Sequence, residues 1–135
     1  MKMREIKFRG WIGEDFIFSE CVFQDNDVWR ILNPNDDNWW ACLEPQQFTG
    51  LKDKNGKEIY EGDIIFHEKF EEHSEILYFE KGMCFIGLPV EKEVREDYLK
   101  GHVHYLDLTC ENLQISKCRV VGNIYENPEL LEESK

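Results

Sequence analysis

Apolar and polar positions alternate from Glu5 to Trp11, with Ile6, Phe8 and Gly10 on one side and Lys7, Arg9 and Trp11 on the other. That two-residue period is the mark of a strand with one buried face. Gly13-Glu14-Asp15 reverses the chain and Phe16-Ile17-Phe18 returns, so residues 4–23 are expected to form a hairpin. Asp25-Asn26-Asp27 turns again, Val28 to Leu32 makes a short strand, and residues 33–38 form an acidic, turn-rich loop. Adjacent strand residues point to opposite faces, so of the neighbours Trp39 and Trp40 one is expected inside and the other at a subunit contact or under a loop. The clearest signal is QQFTGLKDKNGKEIYEGDII, which ends at Ile65. Its Asn55-Gly56 pair enters positive φ at low cost and predicts a tight hairpin; Gly62-Asp63 predicts a second bend directly after it. Two corners so close suit a small barrel.

Further along, residues 67–73 are polar and read as a long connection. Glu75 to Glu80 pairs naturally across Lys81-Gly82 with Met83 to Leu88. After Pro89, Val90, Val94 and Tyr98 share a helical face, with Leu99 adjoining and Gly101 as a stop. His102 to Leu108 alternates like a strand, Cys110 to Lys117 is ambiguous, and Arg119 to Tyr125 is a strand. Asn127-Pro128-Glu129 reads as a helix start, with Asn127 as the cap. The expectation is a mainly β fold, a β-rich α+β chain. N-terminal hairpins over 1–46 pack on a barrel-like antiparallel sheet over 47–131, which carries one surface helix and a short C-terminal helical turn. A tail at 132–135 frays.

Composition changes this picture little. The chain has 135 residues, 41% of them hydrophobic, enough for a core without disulfides. Five cysteines, at 21, 42, 84, 110 and 118, lack Cys-x-x-Cys spacing and are expected as buried thiols in a reducing compartment. No signal-peptide pattern or membrane-length apolar run occurs, so the cytoplasm is the expected location. The net charge of −12 argues against direct binding to phosphate backbones. Four cations in residues 1–10 (Lys2, Arg4, Lys7, Arg9) are expected on a solvated face, while residues 11–48 set eight acids against Arg30.

Candidate chemistry is sparse. His102 and His104 would share a strand face as a metal pair, but no spacing supplies further ligands among His67, Cys84, Cys110 and Cys118. The carboxylate pairs Asp36-Asp37 and Glu71-Glu72 lie in charged loops, unsuited to acid–base work. No nucleophile elbow surrounds Ser19, Ser74 or Ser116, and Gly50, Gly56 and Gly62 mark turns, not a phosphate cradle. No enzyme activity, metal or cofactor is expected. Asp63 is expected to accept backbone N–H bonds in its turn, and Thr49 and Lys52 to serve the hairpin.

Three blocks, MREIKFRGW, the central stretch above and the closing VVGNIYENPELL, together resemble the YopX family of bacteriophage and prophage proteins. The family usually has Ala at Gly10 and often Tyr at Phe48. The resemblance implies a β-rich fold, barrel-like from near Gln47, in which the segment from Val120 lies beside the strand at Ile64 and the Asn-Pro helix plugs one end. It implies no catalytic residues. The signature positions Gly50, Asn55, Gly56, Gly62, Asp63, Gly122, Asn123 and Pro128 are turns and caps. The functional expectation is a non-enzymatic phage accessory protein that binds other proteins and itself, with Trp11, Trp39 and Trp40 as interface residues. Alternatives are an acidic mimic of nucleic acid that occupies a host DNA- or RNA-handling protein, and a weak direct nucleic-acid binder.

Overall fold

A computed structural model describes residues 5–101 and 117–132 of the chain. The pair His102 and His104, the strand expected to Leu108, Cys110 and the last three residues lie outside them. The chain divides into two compact units, Met1–Gly50 and Leu51–Lys135.

In the first unit β1 (Phe8–Trp11) and β2 (Phe16–Ser19) form the hairpin that the alternation predicts. The start of β6 (Gln46–Lys52) pairs with the other side of β1, Gln46 opposite Arg9 and Gln47 opposite Phe8. A separate meander, β3 (Val22–Asp25), β4 (Val28–Asn33) and β5 (Asn38–Cys42), makes a three-stranded antiparallel sheet. Its two turns place Asn26 and Asp37 at φ 53° and 58°, which these short polar side chains tolerate better than most. Ile17, Ile31 and Phe48 are buried. Gly10 lies so close to the meander that a Cβ there would stand 2.8 Å from Cys42 Sγ and 3.2 Å from Ile31 Cγ2.

The cationic face of β1 is not fully solvated. Arg9 is buried, its Nε donates to Gln46 Oε1 at 2.8 Å, and its guanidinium lies 4.3 Å from the Phe16 ring centre. A flat, weakly hydrated guanidinium can stack on an aromatic ring where an ammonium would stay wet.

The second unit is built around Asp53. At the end of β6 the chain reverses through Asn55-Gly56 into β7 (Glu58–Tyr60), with Asp53 N donating to Lys57 O at 2.9 Å. The Asp53 carboxylate is buried. Its Oδ1 accepts from Asn55 N (2.8 Å) and Lys57 N (2.9 Å), and its Oδ2 accepts from Val120 N (2.9 Å) on β11 (Cys118–Asn123). Lys54 N donates to Cys118 O at 3.0 Å, so hairpin and strand exchange two bonds. Burial pushes the Asp53 carboxyl up, but the three amides and the charge of Lys57 outweigh it and hold the group below its ordinary value.

β8 (Asp63–His67), β9 (Glu72–Phe79), β10 (Cys84–Pro89) and β11 form an open sheet in the order β10-β9-β8-β11. The mainly β expectation holds and β11 does lie beside Ile64, but among the described residues the sheets do not close into a barrel. The connection expected over residues 67–73 is shorter than that: His67 pairs with Glu72 and His73 also lies in β9, leaving residues 68–71 as the loop. Gly62, at φ 86°, donates its N–H to Ile76 O (2.7 Å) and accepts from Ile124 N (3.0 Å), stitching the corner to both neighbouring segments. Asp63 is buried and its Oδ2 accepts from Tyr60 N at 2.8 Å.

β11 carries a bulge between Val120 and Gly122. A Cβ on Gly122 would fall 2.5 Å from Asn127 Oδ1, which explains why only glycine fits there. Asn123 Oδ1 accepts from Tyr125 N and Glu126 N, and its Nδ2 donates to Glu126 Oε1. Asn127 turns back to accept from Asn123 N at 3.3 Å, and the turn that follows, Pro128–Glu132, is a 3-10 helix.

Ile59, Ile65, Ile76 and Cys118 form one buried cluster; Phe79, Ile86 and Leu88 form another, covered by Val94 and Tyr98 of α1 (Lys92–Leu99). Each fully buried isoleucine contributes about 1.5–3 kcal/mol relative to exposure. Leu99, expected to adjoin that face, is exposed instead: it is the last residue of the helix, and Gly101 turns the chain away at φ 81°.

Two stability tests follow from this packing. Asp53→Asn sets an NH2 group against a backbone donor and should cost about 2–3 kcal/mol in urea unfolding. The folded carboxyl lies below its unfolded value of about 3.9, so its contribution is complete above that pH and lost as pH falls through the folded value. D53N should therefore flatten the acid limb of the stability profile. Gly10→Ala should cost about 1–3 kcal/mol through overpacking, and part of that loss should return when Cys42→Ala is added.

Candidate docking surface

The register of the meander sorts its side chains onto two faces. Phe23, Arg30 and Ala41 stand in one row and Leu32 and Trp39 in the next, whereas Ile31, fully buried, lies on the reverse face beside Val22 and Trp40. The first face points outward. Phe23 is 43% exposed, Trp39 45% and Val28 42%, and Leu43, just past β5, is 52% exposed. The rings of Phe23 and Trp39 meet edge to face with centroids 4.8 Å apart, which fixes both aromatics without covering them.

Trp40 departs from expectation, since neither indole is fully inside. It is 41% exposed although it shares a face with Ile31. It stands on β5, the outermost strand of its row, and its Nε1 donates to Asp36 Oδ2 at 3.0 Å. Trp11 meets Phe16 edge-on at 4.9 Å and lines a hollow of about 390 Å³ with Ile12, Gly13, Ala41, Cys42 and Leu43. Two of the predicted interface residues, Trp11 and Trp39, thus border one apolar tract, which continues through Ala41 and Leu43. Trp40 is turned to the other side. Burial raises the Cys42 thiol above its ordinary value.

Carboxylates rim this tract. Asp25 and Asp27 stand at the β3–β4 turn, Asp37 at the β4–β5 turn and Glu44 beyond β5, all exposed and none ion-paired among the described residues. Arg30 is the cation that shares a row with Phe23.

The signature positions stand elsewhere. Gly50 and Gly56 take φ of 90° and 80°, and Asn55, Gly62, Asp63, Gly122, Asn123 and Pro128 occupy the turns and corners described above. Among the described residues no three His, Cys, Asp or Glu side chains converge to hold a metal, and no helix is long and apolar enough to cross a membrane. Four described cysteines are free thiols. Cys118 is buried and pushed up to about 11 by burial and the charge of Asp53, but Cys21 is exposed, against expectation, because it sits in the short link between β2 and β3.

Several residues of consequence carried little sequence signal. Asp53 precedes Asn-Gly by two positions, the usual place for a side chain that caps its own turn. Phe23 and Leu43 could be placed outward only once the register was known. His67, in a polar run, is 3% exposed and stacks on Phe70 at 4.5 Å. Neither of its ring nitrogens has a hydrogen-bond partner among the described residues.

This is a mainly antiparallel β protein of two units whose fixed turns form a scaffold. A family model described as "YopX protein" matches residues 7–132, and the chain belongs to the YopX family. The crystal structure of protein EF1440 from Enterococcus faecalis is similar in fold, with a TM-score of 0.56 at 24% identity, covering 96% of this chain and 99% of that one. No curated protein matches the chain.

His67→Phe keeps the stack on Phe70 and removes two unsatisfied polar atoms. It should raise stability by about 1–3 kcal/mol, read as a higher urea midpoint at unchanged slope; a loss would mean that the imidazole has a partner.

Proposed function

We propose that this YopX-family chain is a non-enzymatic binding module, an accessory protein of phage or prophage type that engages another protein chain, or a second copy of itself, through the outward face of its meander. The observation that carries the reading is the Phe23–Trp39 pair, held edge to face yet left open to solvent and continuous with Ala41, Leu43 and the Trp11 hollow. Exposed apolar tracts rimmed by polar groups are characteristic of interaction sites, and aromatic anchors dominate such contacts. The described buried carboxylates support a role other than catalysis: Asp53 and Asp63 are engaged by backbone amides, which holds them as structural acceptors.

A photo-crosslinking residue placed at position 23 in the producing cell tests the reading. Discrete ultraviolet-dependent adducts are expected from position 23 and none from the same residue at position 93, exposed on α1. Equal labelling at both positions, or none at 23, would overturn it.

A further inference from the structure

The partner's chemistry follows from the edge of the same sheet. β5 ends the strand order β3-β4-β5, and along Asn38–Cys42 no strand pairs with its outer side among the described residues; just past it Leu43 N donates to Trp11 O at 3.0 Å, so the open edge stops there. Its sequence, Asn38-Trp39-Trp40-Ala41-Cys42, contains no lysine or proline, and its register with β4 runs without a bulge. Those are the devices by which exposed edges ordinarily prevent another strand from pairing. The other edge, β3, is one residue shorter and ends at Asp25.

We infer that β5 accepts an added strand from a basic partner: an extended segment whose apolar residues alternate with lysine or arginine. The inference rests on the binding-module reading above. The added strand continues the sheet through backbone hydrogen bonds, the mode in which main chain supplies affinity and alternate side chains supply specificity. Its apolar residues extend the row of Trp39 and Ala41 and end against Trp11, whose carbonyl already takes the Leu43 N–H. Its cations meet Asp37 at one end and Glu44 at the other, and can stack on the half-exposed Trp40 indole of the reverse face.

Charge selects this occupant over a second copy. Residues 11–48 hold eight acids against Arg30, and the whole chain carries −12, so two copies joined at β5 bring like-charged rims together, whereas a basic strand neutralises them. An acidic or neutral segment would leave the rim carboxylates uncompensated.

The test titrates the full chain with four capped octapeptides and follows tryptophan fluorescence and the backbone amide shifts of residues 38–42. One alternates lysine and valine; one replaces lysine by glutamate; one replaces valine by serine; the last is the lysine–valine peptide with alternate backbone nitrogens methylated. The lysine–valine peptide should bind at least about tenfold more tightly than each of the others, shift the β5 amides, and weaken as salt rises. Equal binding of the methylated peptide would overturn strand addition, and equal binding of the glutamate peptide would overturn the choice of partner. Sedimentation of the protein alone as a dimer that the peptide disperses would give the edge to a second copy and overturn the basic partner too. If these fail while position 23 still gives discrete adducts, the inference falls and the binding-module reading stands; loss of the adducts removes both.

Discussion

The buried carboxylate of Asp53 sets the shape of the second unit. Three backbone N–H groups, from Asn55, Lys57 and Val120, converge on its two oxygens. Two of them close a local turn, and the third comes from a strand 67 residues later. A hairpin alone is marginal in water. Tied to β11, it fixes the strand that pairs with β8, and β8 in turn positions the β9–β10 hairpin and the helix packed on it. Glu68 adds a surface counterpart, accepting from Lys54 Nζ at 2.6 Å with Arg119 Nε 3.4 Å away. Exposed pairs of this kind contribute little beside a buried charge that holds several amides.

The turn and cap positions expected as a signature make sense as parts of that lock. Gly62 brings two segments into backbone contact, Gly122 leaves room for the Asn127 amide, and Asn123 gathers the N–H groups of Tyr125 and Glu126. Each satisfies backbone groups at a corner where strand pairing cannot. Such residues describe how the chain turns, and the Phe23–Trp39 face lies apart from them.

Local features were legible in the sequence and distant ones were not. Asn55-Gly56 and the Lys81-Gly82 reversal declare themselves within a few residues, as does the helical face of Val94 and Tyr98, because the physics that forms them is local. Arg9 reads as a solvated cation until Gln46, 37 residues away, provides an acceptor and Phe16 a ring. The Asp53 contact with Val120 is invisible for the same reason. Trp39 and Trp40 could be assigned to opposite faces by period alone, but exposure depended on what each face meets. The barrel suggested by two close corners did not form, since among the described residues the four-stranded sheet of the second unit stops at β10 and β11 with neither paired to the other. The acidic bias of residues 11–48 was plain at once, yet it acquired meaning only when those carboxylates were seen around an apolar sheet face.

Native-state hydrogen exchange of the Val120 amide tests the central claim most directly. If Asp53 holds β11 as described, this amide exchanges only through global unfolding, at the rate of the slowest core amides of Ile64 and Ile65, although it reaches a side chain and not a neighbouring strand. Fast exchange at Val120, with Ile64 and Ile65 still protected, would show that the second unit holds together without the carboxylate bridge and would contradict the account.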